Sequence, residues 1–247
     1  MPRVGYNSAG GKKKASGAVY ELLSEEHLEE TQMSLLTKSD ILARIEAGNL
    51  RFTPELDEFQ IQPHAIDLRL GFTFLIARHW ILNQSGRVAL TLDHLAGSGA
   101  HFDTIELEPG QVFEILPGEG VIVSTLERIA MPANLAGNIY PRSSVNRRGL
   151  AVDLSGIVDA GYEGNLIIPV RNNNISTVVR LYPTERFCQL TLTSLDQPAE
   201  IKQSRYHKRD IATGVLPELN QEEIDLIRQG NVKALKERYG VRRKREE

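Results

Sequence analysis

Short apolar runs separated by glycine, proline and asparagine breaks set the texture of the chain from about Leu50 to Leu195. Ala65–Ile76, Val88–Leu92, Gln111–Ile115, Gly120–Thr125, Leu166–Val170, Val178–Leu181 and Cys188–Thr193 are the clearest of these runs, rich in Val, Ile, Leu, Phe and Thr. Their lengths and breaks predict β-strands, and without intervening helical patterns they point to an all-β sandwich or barrel rather than βαβ units. Helical periodicity is confined to the flanks. Thr37-Lys38-Ser39-Asp40 reads as a capping box, followed by Ile41, Leu42 and Ile45 with Gly48 beyond, which predicts a helix over about Lys38–Ala47. Asn220-Gln221-Glu222-Glu223 opens a second helical segment carrying Ile224 and Ile227, interrupted at Gly230.

The segments outside this pattern are polar. Met1–Gly17, with Gly10, Gly11 and Lys12–Lys14, reads as a solvated tail, and the acidic stretch Val19–Met33 as a short helix. Arg242–Arg245 reads as a solubilising end. The expected organisation is an extension over 1–35, a β-domain over 36–200 and a tail with a short helix over 201–247.

Composition narrows the class. A chain of 247 residues, 41% hydrophobic and 25% charged, is ordinary for a soluble globular protein. The formal net charge of −3 gives no general basic field, so no nucleic acid is expected as a partner. No run approaches the roughly 20 apolar residues of a membrane helix, so no membrane partner is expected either. The single cysteine, Cys188, lies in an apolar run and reads as a buried inert thiol, which fits a cytoplasmic location.

Candidate chemistry concentrates between Tyr140 and Asn172. Arg142-Ser143-Ser144, with Arg147 and Arg148 nearby, offers guanidinium and hydroxyl donors for phosphate oxygens, or else a solvated basic loop. Asp159, in Gly156-Ile157-Val158-Asp159-Ala160-Gly161-Tyr162, is either turn chemistry or a carboxylate that could activate water. Tyr162 could stack on a sugar or simply pack. Asp67, inside Gln62–Gly71, needs a partner or a metal if it points inward. None of the six histidines stands at ligand spacing with a cysteine or another histidine, and no P-loop, dinucleotide fingerprint or Gly-x-Ser-x-Gly elbow is present.

Taken together, these segments resemble the trimeric dUTPase and dCTP deaminase superfamily. Gln62–Gly71 is similar to the deaminase-branch N-terminal signature, Pro141–Ser144 to the Pro-Arg-Ser motif, Gly156–Gly164 to the Asp-x-x-Tyr motif and Pro183–Leu190 to the Gln-containing motif. The resemblance covers about Leu36–Leu195. It implies a distorted jelly-roll β-barrel that assembles as a homotrimer with sites between subunits, and a deoxypyrimidine nucleoside triphosphate as ligand. Carried over residue by residue, it implies Asp159 as the catalytic base that activates water. Arg142, Ser143, Ser144, Arg147, Tyr162 and Gln189 become substrate contacts, and Asp67 an indirect holder of Mg2+ through water.

Two departures shape the expected reaction. The resemblance places a proton-shuttling glutamate of the deaminase branch ten residues after the aspartate, where this chain has Pro169. A glycine-rich C-terminal motif of many dUTPases is also missing, and Ser204–Gly214 stands in its place. Because general acid–base help is worth roughly 10² to 10⁴ in rate, the missing acid favours a Mg2+-dependent dUTP diphosphatase, a nucleotide hydrolase forming dUMP and pyrophosphate. The alternatives are a zinc-independent dCTP deaminase forming dUTP and a non-catalytic nucleotide-binding trimer.

Overall fold

A long strand that changes pairing partner partway along gives the domain its corner. In the computed structural model, which describes residues 34–91, 102–153, 156–201 and 220–240, this strand is β2, Ile66–Ala77. The others are β1 (Arg51–Thr53), β3 (Trp80–Asn83), β4 (Gly86–Ala89), β5 (Phe102–Glu106), β6 (Phe113–Ile115) and β7 (Gly120–Ala130). They are followed by β8 (Leu135–Pro141), β9 (Leu150–Val152), β10 (Ile157–Val158), β11 (Glu163–Asn172), β12 (Val179–Leu181) and β13 (Arg186–Ser194). Four short helices accompany them: α1 (Lys38–Glu46), α2 (Ser143–Asn146), α3 (Gln221–Arg228) and α4 (Val232–Tyr239). The expected all-β class is what the chain adopts.

Nine strands make one curled sheet in the order β10-β8-β13-β2-β7-β11-β9, with β1 added on β7 and β5 on β2. The first residues of β2, Ile66 to Arg69, pair with β13, whereas Leu70 to Ile76 pair with β7. The register slips between Leu70 and Phe74, and Gly71 lies at the slip. A Cβ on Gly71 would meet Ser124 Oγ at 2.7 Å and Ser124 O at 3.0 Å, so only glycine lets β7 come this close at the corner. The corner folds one end of the sheet toward the other, as a jelly-roll requires.

The core fills the concave side. Ile66, Leu68, Leu70, Phe74, Ile115, Ile129, Leu135, Ile168, Phe187 and Leu190 are all buried, each contributing about 1.5–3 kcal/mol relative to exposure. Phe74 and Phe113 stack with ring centroids 4.4 Å apart. β8 and β11 alternate buried and partly open positions along most of their length, whereas β2 has no exposed position and no strict alternation, as suits a central strand. Cys188 is fully buried, and burial pushes its thiol well above the usual range, so the inert reading holds.

The expected helix at Lys38 forms. Thr37 N–H donates to Asp40 Oδ2 at 2.9 Å, Asp40 N–H reaches Thr37 Oγ1 at 3.5 Å, and Gly48 takes the left-handed φ of 72° that ends the segment. The C-terminal segment splits at Gly230 into α3 and α4, joined by Asn220 Nδ2–H to Tyr239 OH at 3.1 Å and by an Arg238–Glu222 ion pair. The expected tail over Met1–Gly17, the acidic helix over Val19–Met33, the Ser204–Gly214 segment and the basic end lie outside the described residues.

Candidate active site

β13 runs between β2 and β8, and its register assembles one side of the site. Gln189 stands opposite Asp67 on β2 and opposite Tyr140 on β8, while Cys188 faces Pro141. Three residues far apart in sequence thus form a cross-strand row, at a spacing of about 5 Å between neighbours. Arg142 follows immediately after β8. Its amide donates to Phe187 O at 3.3 Å and its guanidinium to Arg186 O at 3.1 Å, which ties the loop to β13.

Asp67 is the hub of this row. Its side chain is only 1% exposed, yet it receives Arg142 Nε at 3.2 Å, Arg186 Nη1 at 3.1 Å and Gln189 Nε2 at 2.9 Å. A carboxylate buried this deeply is tolerable because two guanidiniums and an amide compensate it. The same arrangement argues against a cation there, since two fixed positive groups face the oxygens a metal would need. No group of three or more potential metal-ligating side chains occurs among the described residues.

What Asp67 holds in place is Arg142, and beyond it α2. Ser143 and Ser144 occupy the exposed first turn of α2, and Arg147 is the exposed residue that caps its end. First-turn amides of a helix have no intrahelical acceptor, so hydroxyls and N–H groups face outward together. Arg148 is engaged elsewhere, with Glu185 at 3.1 Å and Arg180 O at 3.1 Å. The α2 turn had no apolar signature in the sequence; it is one turn long and buries only Val145.

The second motif lies elsewhere on the chain. β10 pairs Val158 with Gly137 of β8, so Asp159 begins its turn beside the start of β8, whereas Arg142 follows the end of β8. From Gly137 to Arg142 is five residue steps along the strand, or roughly 16 Å at about 3.3 Å per step. Asp159 is exposed, its carbonyl accepts Tyr162 N–H at 3.1 Å, and Gly161 supplies the turn's left-handed φ of 75°. Tyr162 is half-buried against the core, its hydroxyl donates to Asn165 O at 2.7 Å, and burial raises its pKa to about 12. Gly164 makes room for that ring, since a Cβ there would meet the Tyr162 hydroxyl at 2.8 Å. Tyr162 is thus anchored at its hydroxyl end, and any face it offers to a ligand is a rigid one. One chain brings Asp67, Arg142 and Gln189 together with Ser143 and Ser144 adjoining, and keeps Asp159 and Tyr162 apart from them.

Two carboxylates near these motifs drew no attention as sequence. Glu127 is buried and accepts Gln60 Nε2 at 2.8 Å and the Arg69 amide at 2.9 Å, and burial raises its pKa. Asp153, just past β9, is exposed, and its amide donates to Pro169 O at 2.9 Å. Only the register of β9 on β11 reveals that Asp153 is Pro169's neighbour.

A family profile described as dCTP deaminase-like matches residues 35–195. The chain belongs to the dCTP deaminase-like family. It is 34% identical over 182 residues to the Dictyoglomus thermophilum protein named "dCTP deaminase, dUMP-forming", covering 71% of this chain and 90% of that one. It is 35% identical over 171 residues to the Haloarcula marismortui protein named "dCTP deaminase", covering 67% and 83%. Among solved structures, the 2'-deoxycytidine 5'-triphosphate deaminase of Agrobacterium tumefaciens superposes with a TM-score of 0.50 at 23% identity, over 66% of this chain and 49% of that one. That likeness speaks for the fold alone.

These relatives overturn the expectation of a dUTP diphosphatase and of a nucleotide hydrolase. The expectation rested on one position, Pro169, being unable to ionise. A proton carrier has to reach the reacting atoms, and it can do so from a neighbouring strand as well as from β11, so the identity of a single residue on one strand was too narrow a ground. Among the described residues no helix is long and apolar enough to cross a membrane.

Proposed function

We propose that this protein deaminates dCTP without zinc, replacing the exocyclic amine of cytosine with oxygen and releasing ammonia. The observation that carries the reading is the similarity, over the whole β-domain, to proteins named dCTP deaminase. Deamination of dCTP is the step common to both of these relatives' names, and the proposal is confined to it. Arg142, Ser143, Ser144, Arg147 and Gln189 are assigned to the triphosphate end of the ligand, and Tyr162 to the deoxyribose. Asp159 is assigned to the reacting side. Arg142 suits the phosphates because Asp67 fixes the guanidinium at 3.2 Å while leaving it partly open. Magnesium enters as a counter-ion carried by the phosphate oxygens and supplies charge neutralisation there.

The site is proposed to be completed in a homotrimer. The separation of roughly 16 Å along β8 between the two motifs supports this, because one nucleotide must contact both. Ile157 on the edge strand β10 is 67% exposed and Tyr140 is 52% exposed, apolar surface of the kind a subunit contact would cover.

The test is direct. Purified protein given dCTP with Mg2+ is expected to release ammonia and form a uracil nucleotide; binding of dCTP without ammonia would instead establish a non-catalytic nucleotide-binding protein, which the lack of an ionisable side chain at Pro169 favours as the second reading. Trimer assembly has its own readout. Arg142→Ala chains and Asp159→Asn chains, each inactive alone, are expected to recover ammonia release when co-assembled, and failure of mixed assemblies to recover would place both motifs in one chain's site.

A further inference from the structure

Zinc-free deamination of cytosine needs a group that carries protons between water and the base, and the fold decides which carboxylate is free to be it. Asp67 is saturated by two guanidiniums and Gln189, Glu127 is buried against Gln60 and Arg69, Glu163 pairs with Arg128 at 3.0 Å and Glu185 with Arg148 at 3.1 Å. Among the described carboxylates of the two motifs and their strands, those of Asp153 and Asp159 alone have no hydrogen bond or ion pair. Asp159 opens a tight turn that Ile201 covers, its side chain standing 2.8 Å from where a Cβ on Gly161 would be. Asp153 has no such structural task.

The pairing of β9 with β11 explains why Asp153 is free. Val152 pairs with Val170, so Asp153 stands opposite Pro169, and its N–H donates to Pro169 O at 2.9 Å. In an antiparallel pair of this kind the two residues would exchange both bonds, but proline has no N–H to return. The ladder therefore stops, β9 ends at Val152, and the chain leaves the sheet at Asp153. Directly opposed residues share a face, so Asp153 sits beside the exposed Pro169 ring, and the next pair on that face is Ala151 with Arg171. A small residue, a compact apolar ring, an uncommitted carboxylate and an exposed guanidinium together suit a planar base. We infer that Asp153 is the proton-carrying carboxylate of the deamination, released for that role by Pro169.

This inference rests on the deaminase reading. The carboxylate accepts a proton from water as the water oxygen bonds to C4. One of the water's two protons ends on N3 and the other on the exocyclic nitrogen; the C4–N bond breaks, ammonia leaves, and Asp153 returns to its starting state.

The experiment uses the full chain and follows both ammonia release from dCTP and dCTP affinity. Asp153→Asn is expected to lower kcat by about 10² to 10⁴ while changing Kd less than about threefold. Adding Pro169→Glu to Asp153→Asn is expected to restore release, because it returns a carboxylate to the same face. Wild-type turnover that survives Asp153→Asn, or a variant that loses affinity but keeps kcat, overturns the role of Asp153 and leaves the deaminase reading standing. A wild type that releases no ammonia from dCTP overturns both. Should the double variant misassemble, Asp153→Glu supplies the check: recovered turnover supports the proton role, and a folded but inactive Asp153→Glu with unchanged affinity overturns it.

Discussion

The Asp67 row and the two exposed acids Asp153 and Asp159 use their carboxylates in opposite ways. Around Asp67 every partner is already in place: three side-chain bonds of 2.9–3.2 Å reach a carboxylate that is 1% exposed. Asp153 and Asp159, by contrast, have no side-chain partner among the described residues. A charge that is buried and paired can fix geometry but cannot exchange protons with a substrate, because every change in its protonation breaks its partners' bonds. An exposed, unpaired one can exchange protons but fixes nothing. On one chain the two kinds of acid are set apart: Asp67 lies level with Tyr140 near the end of β8, and Asp159 follows β10 beside the start of β8.

The sharpest way to break this contrast is to remove the hub. Asp67→Ala leaves Arg142 and Arg186 facing each other without their shared carboxylate, so it is expected to cost about 3–5 kcal/mol in urea unfolding and to weaken dCTP binding at the same time. Asp67→Asn keeps the shape but offers one acceptor oxygen instead of two, and is expected to fall between wild type and Asp67→Ala. Unchanged stability in Asp67→Ala would mean that the guanidiniums relax to solvent and that the row is not preorganised.

How far this division was legible before folding differs from element to element. The helix at Lys38 and most of the strands were readable because capping chemistry and short apolar runs are local signals. β1, β3, β5, β8, β9 and β10 were not. Three of these, β1, β9 and β10, are only two or three residues long, too short to show an alternation. β8 contains Ala136, Gly137 and Asn138, residues that weigh against a strand, and forms because β13 pairs along its whole length. The Arg142–Ser144 cluster was visible as a motif. That Asp67 would bond Arg142 was not, since β13 alone brings the two into contact. Asp153 escaped notice for the same reason: its significance comes from standing opposite Pro169, and cross-strand register is a tertiary fact.

A middle-sized effect is expected at Glu127, which tests whether the buried scaffold beside Asp67 tolerates neutral substitution. Both its oxygens accept from donors that cannot turn away: Gln60 Nε2 also donates to Asp67 O at 2.9 Å, and the other donor is the Arg69 amide. Glu127→Gln must point an NH2 at one of them, and is expected to cost about 1–3 kcal/mol in unfolding free energy. The pH dependence runs in the opposite direction from that of a salt-bridged acid. Burial raises the folded pKa of Glu127 above its ordinary 4.5, so between the unfolded and folded values the native state binds more protons. Stability therefore falls as pH rises through that window, and Glu127→Gln is expected to remove this contribution from the curve of stability against pH.

The smallest expected change in stability comes from the open half, and it is the most informative about function. Asp159 is exposed, and its only recorded bond is through the backbone carbonyl to Tyr162 N–H, which substitution of the side chain leaves intact. Asp159→Asn should therefore leave unfolding within about 0.5 kcal/mol of wild type. If Asp159 lies on the reacting side, turnover of dCTP should fall nonetheless, with the dCTP dissociation constant nearly unchanged, because a group felt mainly in the transition state lowers kcat and spares ground-state binding. Loss of stability in Asp159→Asn would move Asp159 to the structural side of the comparison and leave Asp153 as the one unpaired acid of the two. Loss of affinity with kcat intact would make Asp159 a reader of the nucleotide. Each result assigns the two carboxylates differently, and measuring stability, Kd and kcat on the same preparation separates them.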